Sequence, residues 1–369
     1  MNLKRLFSKI FPTQFRPYWN KIKTSPSLDK DIKKITNAFV NSESYNYVST
    51  WWHVLNIKNF QSLIDVGISK YGTDISTNYY TFFDLPNEHL AASFENLRDN
   101  LNIKLNGELF KIQNDLNYKE SFFYNYVCLL LYENLKKTKY LDHLKKLKDN
   151  TYLGFNDPFI KIDGINISTD KLVSLFDLEH INEFNDLANT NSLLEIGAGS
   201  GRLSECILSF YNNINYVICD IPPALYISYC RLKKAFPKKK ISILVENNDQ
   251  NLLQDEIKHN DISFILPHQL ELLKKNSFDT VLAVDCLHEM EKKTISSYFN
   301  LINKLTNNFY FSIWKKTKVL YSARIFKKTE RLDFEKNDYP IHKNWKLTHK
   351  KNFIFPGSYF SIGYKIDDN

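Results

Sequence analysis

Several signatures that would settle a function at once are missing from these 369 residues. No segment reaches the ~18 consecutive apolar residues of a membrane-spanning helix, and the opening residues lack the apolar core of about 7 to 15 residues that a secretory leader carries. Cysteine is sparse. Its five copies, Cys128, Cys206, Cys219, Cys230 and Cys286, form no Cys-x-x-Cys pair, and several sit in apolar strand-like runs. That usage fits a reducing, cytoplasmic setting better than a disulfide framework. No His-x-x-x-His occurs, and Asp285 and His288 have no third ligand nearby, so no metal is expected. A phosphate-binding P-loop is excluded because no Gly-Lys-Ser/Thr is present.

The charge is one-sided, at +8, which raises nucleic acid as a partner. The basic residues are spread through amphipathic helical patterns and the short run Lys238 to Lys240, however, and no Asn-Pro-Pro-Tyr or Asp-Pro-Pro-Tyr of a base-flipping enzyme occurs. No nucleic-acid partner is expected, whereas an acceptor carrying phosphate or uronate groups suits a positive surface. At the start of the chain Leu3, Leu6, Phe7, Ile10 and Phe11 share one side at helical spacing, with Lys4, Arg5 and Lys9 elsewhere. Residues 1–11 thus read as a short basic amphipathic helix, suited to peripheral contact at the inner face of a membrane or to packing on the chain's own lobe.

What is present is concentrated in Leu193-Leu194-Glu195-Ile196-Gly197-Ala198-Gly199-Ser200-Gly201-Arg202-Leu203. An apolar strand ends beside an acid, and glycines at alternate positions then open a helix. Such a bend has few Cβ atoms to keep a ligand off the backbone, and the first amides of the helix point outward unpaired. The third glycine comes one residue too early for Gly-x-Gly-x-x-Gly, and Glu195 suits an ammonium group better than a pyrophosphate. These features leave S-adenosylmethionine, whose amino group Glu195 can face, as the candidate ligand. Its ribose calls for a second acid at the end of the next strand. Ile214 to Cys219 reads as that strand, and Asp220 follows it, about 20 residues beyond the bend as doubly wound sheets require. Asp220 is alternatively an N-cap, since Pro222 and Pro223 are good first-turn residues.

From about Asn191 onward the chain resembles the class I S-adenosylmethionine-dependent methyltransferases. Leu193 to Gly201 is similar to their first cofactor motif, and Cys219-Asp220-Ile221-Pro222-Pro223 to the ribose-binding motif of small-molecule O-methyltransferases. Phe264-Ile265-Leu266-Pro267-His268-Gln269 and Leu287-His288-Glu289-Met290 resemble a bacterial family of sugar O-methyltransferases found with surface-polysaccharide genes. The resemblance implies cofactor contacts from Glu195, Gly197, Ala198, Gly199, Gly201, Asp220 and Ile221, and adenine contacts from His268 and Gln269. It also implies His288 as general base, with Glu289 and Asp285 as alternatives, because a neutral imidazole accepts a hydroxyl proton near pH 7. The implied acceptor is a sugar hydroxyl, nucleotide- or lipid-linked. A small aromatic or polyketide acceptor, or a methyltransferase-like module that binds without turnover, stands as the alternative.

The patterning predicts an α/β fold of Rossmann-like type. Helices over Arg202 to Asn212, Pro223 to Phe236 and Lys292 to Leu305 alternate with strands at Ile241 to Val245, Ile262 to Leu266, Thr280 to Val284 and Phe309 to Ile313. An antiparallel hairpin, Trp345 to Phe353 and Tyr359 to Ile366 around Pro356-Gly357, closes the otherwise parallel sheet. Residues 1–150 read instead as an α-helical lobe over the acceptor pocket, with 151–369 as the cofactor-binding domain. In the lobe, helical spacing marks Lys30 to Phe39, Leu55 to Ile64, Leu90 to Leu101 and Ser121 to Leu147. Its aromatics (Tyr45, Tyr47, Trp51, Trp52, Tyr79, Tyr80, Phe82, Phe83) are core or sugar-stacking candidates. Pro158 to Ile167 reads as a small hairpin turning at Asp163-Gly164, with Ser168, Thr169 or Asp170 capping the helix that follows.

Overall fold

The computed structural model describes residues 15–73, 118–147, 160–318, 331–354 and 359–367. The anticipated helix at Leu90 to Leu101, the amphipathic segment 1–11, the Pro356-Gly357 turn and the aromatics from Tyr79 to Phe83 lie outside them.

Helices come first: α1 (Arg16–Lys23), α2 (Lys30–Val40), α3 (Thr50–Val66), α4 (Tyr118–Leu135) and α5 (Leu141–Lys146). Asp29 caps α2 by accepting the Asp31 and Ile32 amides, and Ser49 caps α3 by accepting that of Trp52. Helix α1 was not anticipated. The single helix expected from Ser121 to Leu147 is two, because Thr138 interrupts it: its hydroxyl donates to the Leu135 carbonyl at 2.9 Å and accepts the Tyr140 amide at 3.1 Å. Such local side-chain bonds compete with the helical ladder. The predicted hairpin follows, β1 (Ile160–Ile162) against β2 (Ile165–Ile167), with Asp163 and Gly164 at positive φ in its turn. Ser168 then caps α6 (Thr169–Phe184).

From there strands and helices follow in the order β3 (Ser192–Ile196), α7 (Arg202–Phe210), β4 (Asn215–Cys219), α8 (Ala224–Ala235), β5 (Ile241–Ile243), α9 (Gln250–His259), β6 (Ile262–Ile265), β7 (Thr280–Val284), α10 (Lys292–Leu305) and β8 (Asn308–Trp314); α9 was not anticipated, and only a 3₁₀ turn separates β6 from β7. A small pair, β9 (Lys316–Lys318) with β10 (Arg331–Asp333), precedes β11 (Trp345–Asn352) and β12 (Tyr359–Ile366). The main sheet runs β11-β12-β8-β7-β3-β4-β6-β5. Strands β3 to β8 are parallel, and β12 inserts antiparallel between β8 and β11. The fold is therefore the α/β class predicted, mostly parallel with a C-terminal antiparallel hairpin. In the sheet β5 lies at the edge and β6 fills the place beside β4, so the chain passes over a position and returns to it.

Because successive strand residues face opposite sides, the sheet divides two cores. Leu193, Tyr216, Ile218, Phe264 and Leu282 face one apolar cluster that continues through α6, α7 and α8 into the N-terminal helices. Leu194, Val217, Ile265, Val281 and Phe309 face the other, beneath α9 and α10. At one edge β5 is only three residues long, and Lys34 donates to its Ile243 carbonyl at 3.3 Å. At the other edge β11 exposes Lys346, Thr348, Lys350 and Lys351. No helix among the described residues is long and apolar enough to cross a membrane.

Candidate functional site

Ligands of parallel α/β sheets bind beyond the carboxyl ends of the strands. There a cleft of about 1220 Å³, its open mouth included, is lined by Glu195 to Ser200, Arg202, Asp220, Ile221, Asp285, Cys286 and Glu289, with Ser44, Val48, Ser49 and Trp52 from the N-terminal helices. The bend after β3 forms its floor. Gly197, Gly199 and Gly201 all have positive φ. A Cβ on Gly197 would lie 2.6 Å from Cβ of Cys286, so the bend and the turn after β7 close on each other. Gly201 does not line the cleft. It is the left-handed N-cap of α7, and a Cβ there would lie 3.0 Å from the Ser228 Cβ, so its role is to let α7 pack against α8.

Glu195 is buried on the cleft wall, and the Tyr216 hydroxyl donates to its Oε2 at 2.7 Å. Tyr216 sits diagonally across the β3–β4 register, in which Glu195 is opposite Ile218. Burial pushes the Glu195 carboxyl up to about 7, opposed by the Tyr216 hydrogen bond and Arg202. Asp220 accepts the Gly199 amide at 2.8 Å through Oδ2 and the Ile221 amide at 2.7 Å through Oδ1. It thus ties the glycine bend to the end of β4, and burial raises it to about 7 against those two hydrogen bonds. Two carboxyls poised near neutrality in one cleft favour a cationic occupant, whose charge would draw both into the ionised form.

The turn after β6 corrects part of the sequence reading. Gln269 is fully buried, accepts the Leu266 amide at 2.8 Å and donates to the carbonyls of Leu244 and Asn247 at 2.9 and 2.7 Å. Its amide is consumed in joining the ends of β5 and β6. His268 turns toward Ser44 (Nδ1 to Oγ 2.9 Å) and Asn248 (Nε2 to Oδ1 3.1 Å), clasping the N-terminal helices instead of facing the cleft. Pro267 is the residue of this turn that lines it.

Beyond β7, Asp285 and Glu289 line the cleft while His288 does not. The 3₁₀ turn Leu287–Glu289 points neighbouring side chains in different directions, and it buries His288 with its ring edge-on to Trp314 and Tyr359. Its Nε2 lies 3.4 Å from Asp285 Oδ1. Of the candidate bases, the imidazole therefore stands behind the carboxylate, not in front of it. Asp285 has φ +57° and is also pushed up to about 7 by burial, with Tyr359 and Arg202 pulling it down.

Sequence reasoning missed the polar frame under the cleft. On α6, Asp170, Ser174 and Asp177 recur at helical spacing. Arg231 donates to Asp170 at 2.9 Å and to Glu205 at 2.5 Å, and Arg202 donates to Asp177 at 2.8 Å and Ser174 at 3.1 Å. The i, i+4, i+7 spacing of the α6 residues was the available signal. Among the described residues no group of three or more His, Cys, Asp or Glu is arranged to hold a metal ion.

No family model matches the chain, and no curated protein matches it. Solved structures do resemble it. An O-methyltransferase family protein from Burkholderia thailandensis overlaps with a TM-score of 0.36 at 9% identity, over 54% of this chain and 57% of that one. The magnesium protoporphyrin IX methyltransferase ChlM from Synechocystis PCC 6803, with bound SAH, gives 0.37 at 14% identity over 54% and 83%. The mitomycin 7-O-methyltransferase MmcR gives 0.35 at 10% over 54% and 56%. The chain thus spans little more than half the length of several of these neighbours. Overlaps this loose say nothing of substrate or chemistry.

Proposed function

We propose that the cleft binds S-adenosylmethionine and that the chain transfers its methyl group to a hydroxyl oxygen, with a sugar of surface-polysaccharide or nucleotide-sugar synthesis as acceptor. The observation that carries this reading is Glu195, a buried carboxylate beside a glycine bend that Asp220 locks from the neighbouring strand. The residues fit that group: Gly197 and Gly199 line the cleft with bare backbone, Glu195 is placed for an ammonium, and Asp220 stands at the strand end where ribose hydroxyls would be held. When bound, the cofactor would supply a methyl on a sulfonium whose sulfur keeps the C–S bonding pair as the acceptor oxygen displaces it. Asp285, one of the carboxylates lining the cleft, would take the proton of the attacking hydroxyl, with His288 behind it orienting that carboxylate. The sulfonium is a good leaving group, so alignment supplies much of the rate. Residues 1–150 cap the cleft in this reading, through Ser44, Val48, Ser49 and Trp52, over the 151–369 domain. Trp52, an aromatic side chain in the lining, would stack on a sugar ring.

Calorimetry with S-adenosylmethionine and S-adenosylhomocysteine tests the first half: micromolar binding is expected, and its absence in folded protein ends the reading. Transfer of radiolabelled methyl to extracted surface glycan, lost in Asp285→Asn, tests the second.

A further inference from the structure

The carboxyl end of β7 holds a residue with a side chain in a backbone conformation that favours glycine. Asp285 has φ +57°, a strained state that persists only where its surroundings over-determine it. A closed ring of hydrogen bonds does so. The Asp285 amide donates to the Ser312 carbonyl and to Ser312 Oγ, both at 3.2 Å. The Ser312 hydroxyl donates to the Tyr359 hydroxyl at 3.1 Å, which in turn donates to the Asp285 carboxylate. Ser312 pairs with Ser361 and Tyr359 with Trp314, so the two ring members are diagonal neighbours on one face of the β8–β12 pair. Both are almost fully buried, at 0% and 1% exposure. A buried hydroxyl is stable only when partnered, and here each is partnered within the ring.

We propose that Tyr359 and Ser312 are positioning residues, through which the antiparallel strand β12 holds the Asp285 carboxylate toward the cleft. The proposal rests on the reading that Asp285 takes the acceptor proton. The other ionisable groups bearing on Asp285 are Arg202 from α7, Asp177 from α6, and Cys286 and His288 from its own turn. None of them closes the loop from side chain back to backbone.

The test is a carboxyl ¹³C titration of the full chain labelled at aspartate, with the Asp285 resonance identified by its loss in Asp285→Asn. Removing a hydrogen bond donated to the ionised form should move the Asp285 midpoint upward by about one pH unit in Tyr359→Phe. Ser312→Ala, which breaks the ring at another link, should move it the same way, and Ser312→Thr should restore it. Tyr364→Phe, which removes a hydroxyl from the same strand away from the ring, should leave it in place. An unmoved midpoint in Tyr359→Phe and Ser312→Ala overturns the proposal, as does loss of stability alone. The titration needs neither cofactor nor acceptor. If methyl transfer is never found but the midpoint moves, the functional reading fails and the ring stands.

Discussion

Two adjacent strands end in left-handed turns, and they meet the same backbone demand in opposite ways. After β3 the chain uses Gly197, with no side chain, at φ +73°; after β7 it uses Asp285 at φ +57°, with its amide held from β8 by Ser312 and its carboxylate from β12 by Tyr359. At the first turn a side chain would run into Cys286, so none is present. At the second the side chain is kept and its strain is offset by hydrogen bonds; on the proposed reading it is the group that takes the acceptor proton. The turns also touch, since the space a Gly197 side chain would need belongs to Cys286.

The largest expected effect breaks the first turn. Gly197→Ala adds backbone strain and a 2.6 Å approach to Cys286, which together should lower stability by about 2–4 kcal/mol and weaken cofactor binding by about 100-fold or more. Pairing it with Cys286→Gly should recover the steric part only. Melting curves and calorimetry report both, and retention of tight binding in Gly197→Ala would sink this account of the bend.

The second turn should fail differently. Asp285→Asn keeps the shape and tolerates positive φ, so cofactor affinity should hold while methyl transfer falls by about 10²–10⁴. Its stability effect has a definite sign. A carboxyl raised to about 7 binds its proton more tightly folded than unfolded, so its contribution to stability is present below the ordinary carboxylate range and lost as pH rises through 7. Asp285→Asn should therefore be more stable than the parent by about 1–2 kcal/mol at pH 8, after allowance for solvent screening, and no more stable near pH 4. Denaturant titrations at the two pH values check it.

A smaller effect compares the walls of the cleft by pH. Glu195 and Asp220, both raised to about 7, should bind a cationic ligand better once ionised, so the S-adenosylmethionine Kd should fall about tenfold between pH 6 and pH 8. S-adenosylhomocysteine, which keeps the ammonium that Glu195 would face and the ribose that Asp220 would hold, should respond in the same direction. A Kd independent of pH for both ligands would refute a role for the two carboxylates in binding. The smallest effect is expected at His268→Ala, which lies off the cleft: a change in cofactor Kd within about threefold, against a large loss if the imidazole contacts adenine after all.

The parts legible in the sequence are those written locally. Apolar runs such as Thr280 to Val284 are strands, the spacing of Gly197, Gly199 and Gly201 is a bend, and Asp220 closes the next strand. The place after each strand was also readable, which is why Asp285 and Glu289 were candidates. The direction of each side chain was not. His268 and Gln269 follow β6 as expected, but their bonds go to Ser44, Asn248, Leu244 and Asn247, contacts set by how distant loops pack. The exchange of β5 and β6 in sheet order, the pairing of Arg231 with Asp170 across 61 positions and the reach of Tyr359 to Ser312 across 47 are equally non-local. Period and spacing report on a single segment, and none of these is a property of one.

The two rims of the sheet carry a last consequence. A strand of three residues whose outer carbonyl is taken by Lys34, and at the far side a strand bearing Lys346, Lys350 and Lys351, disfavour the laying of a further strand by a second polypeptide. Brevity works against it on one side and charge on the other.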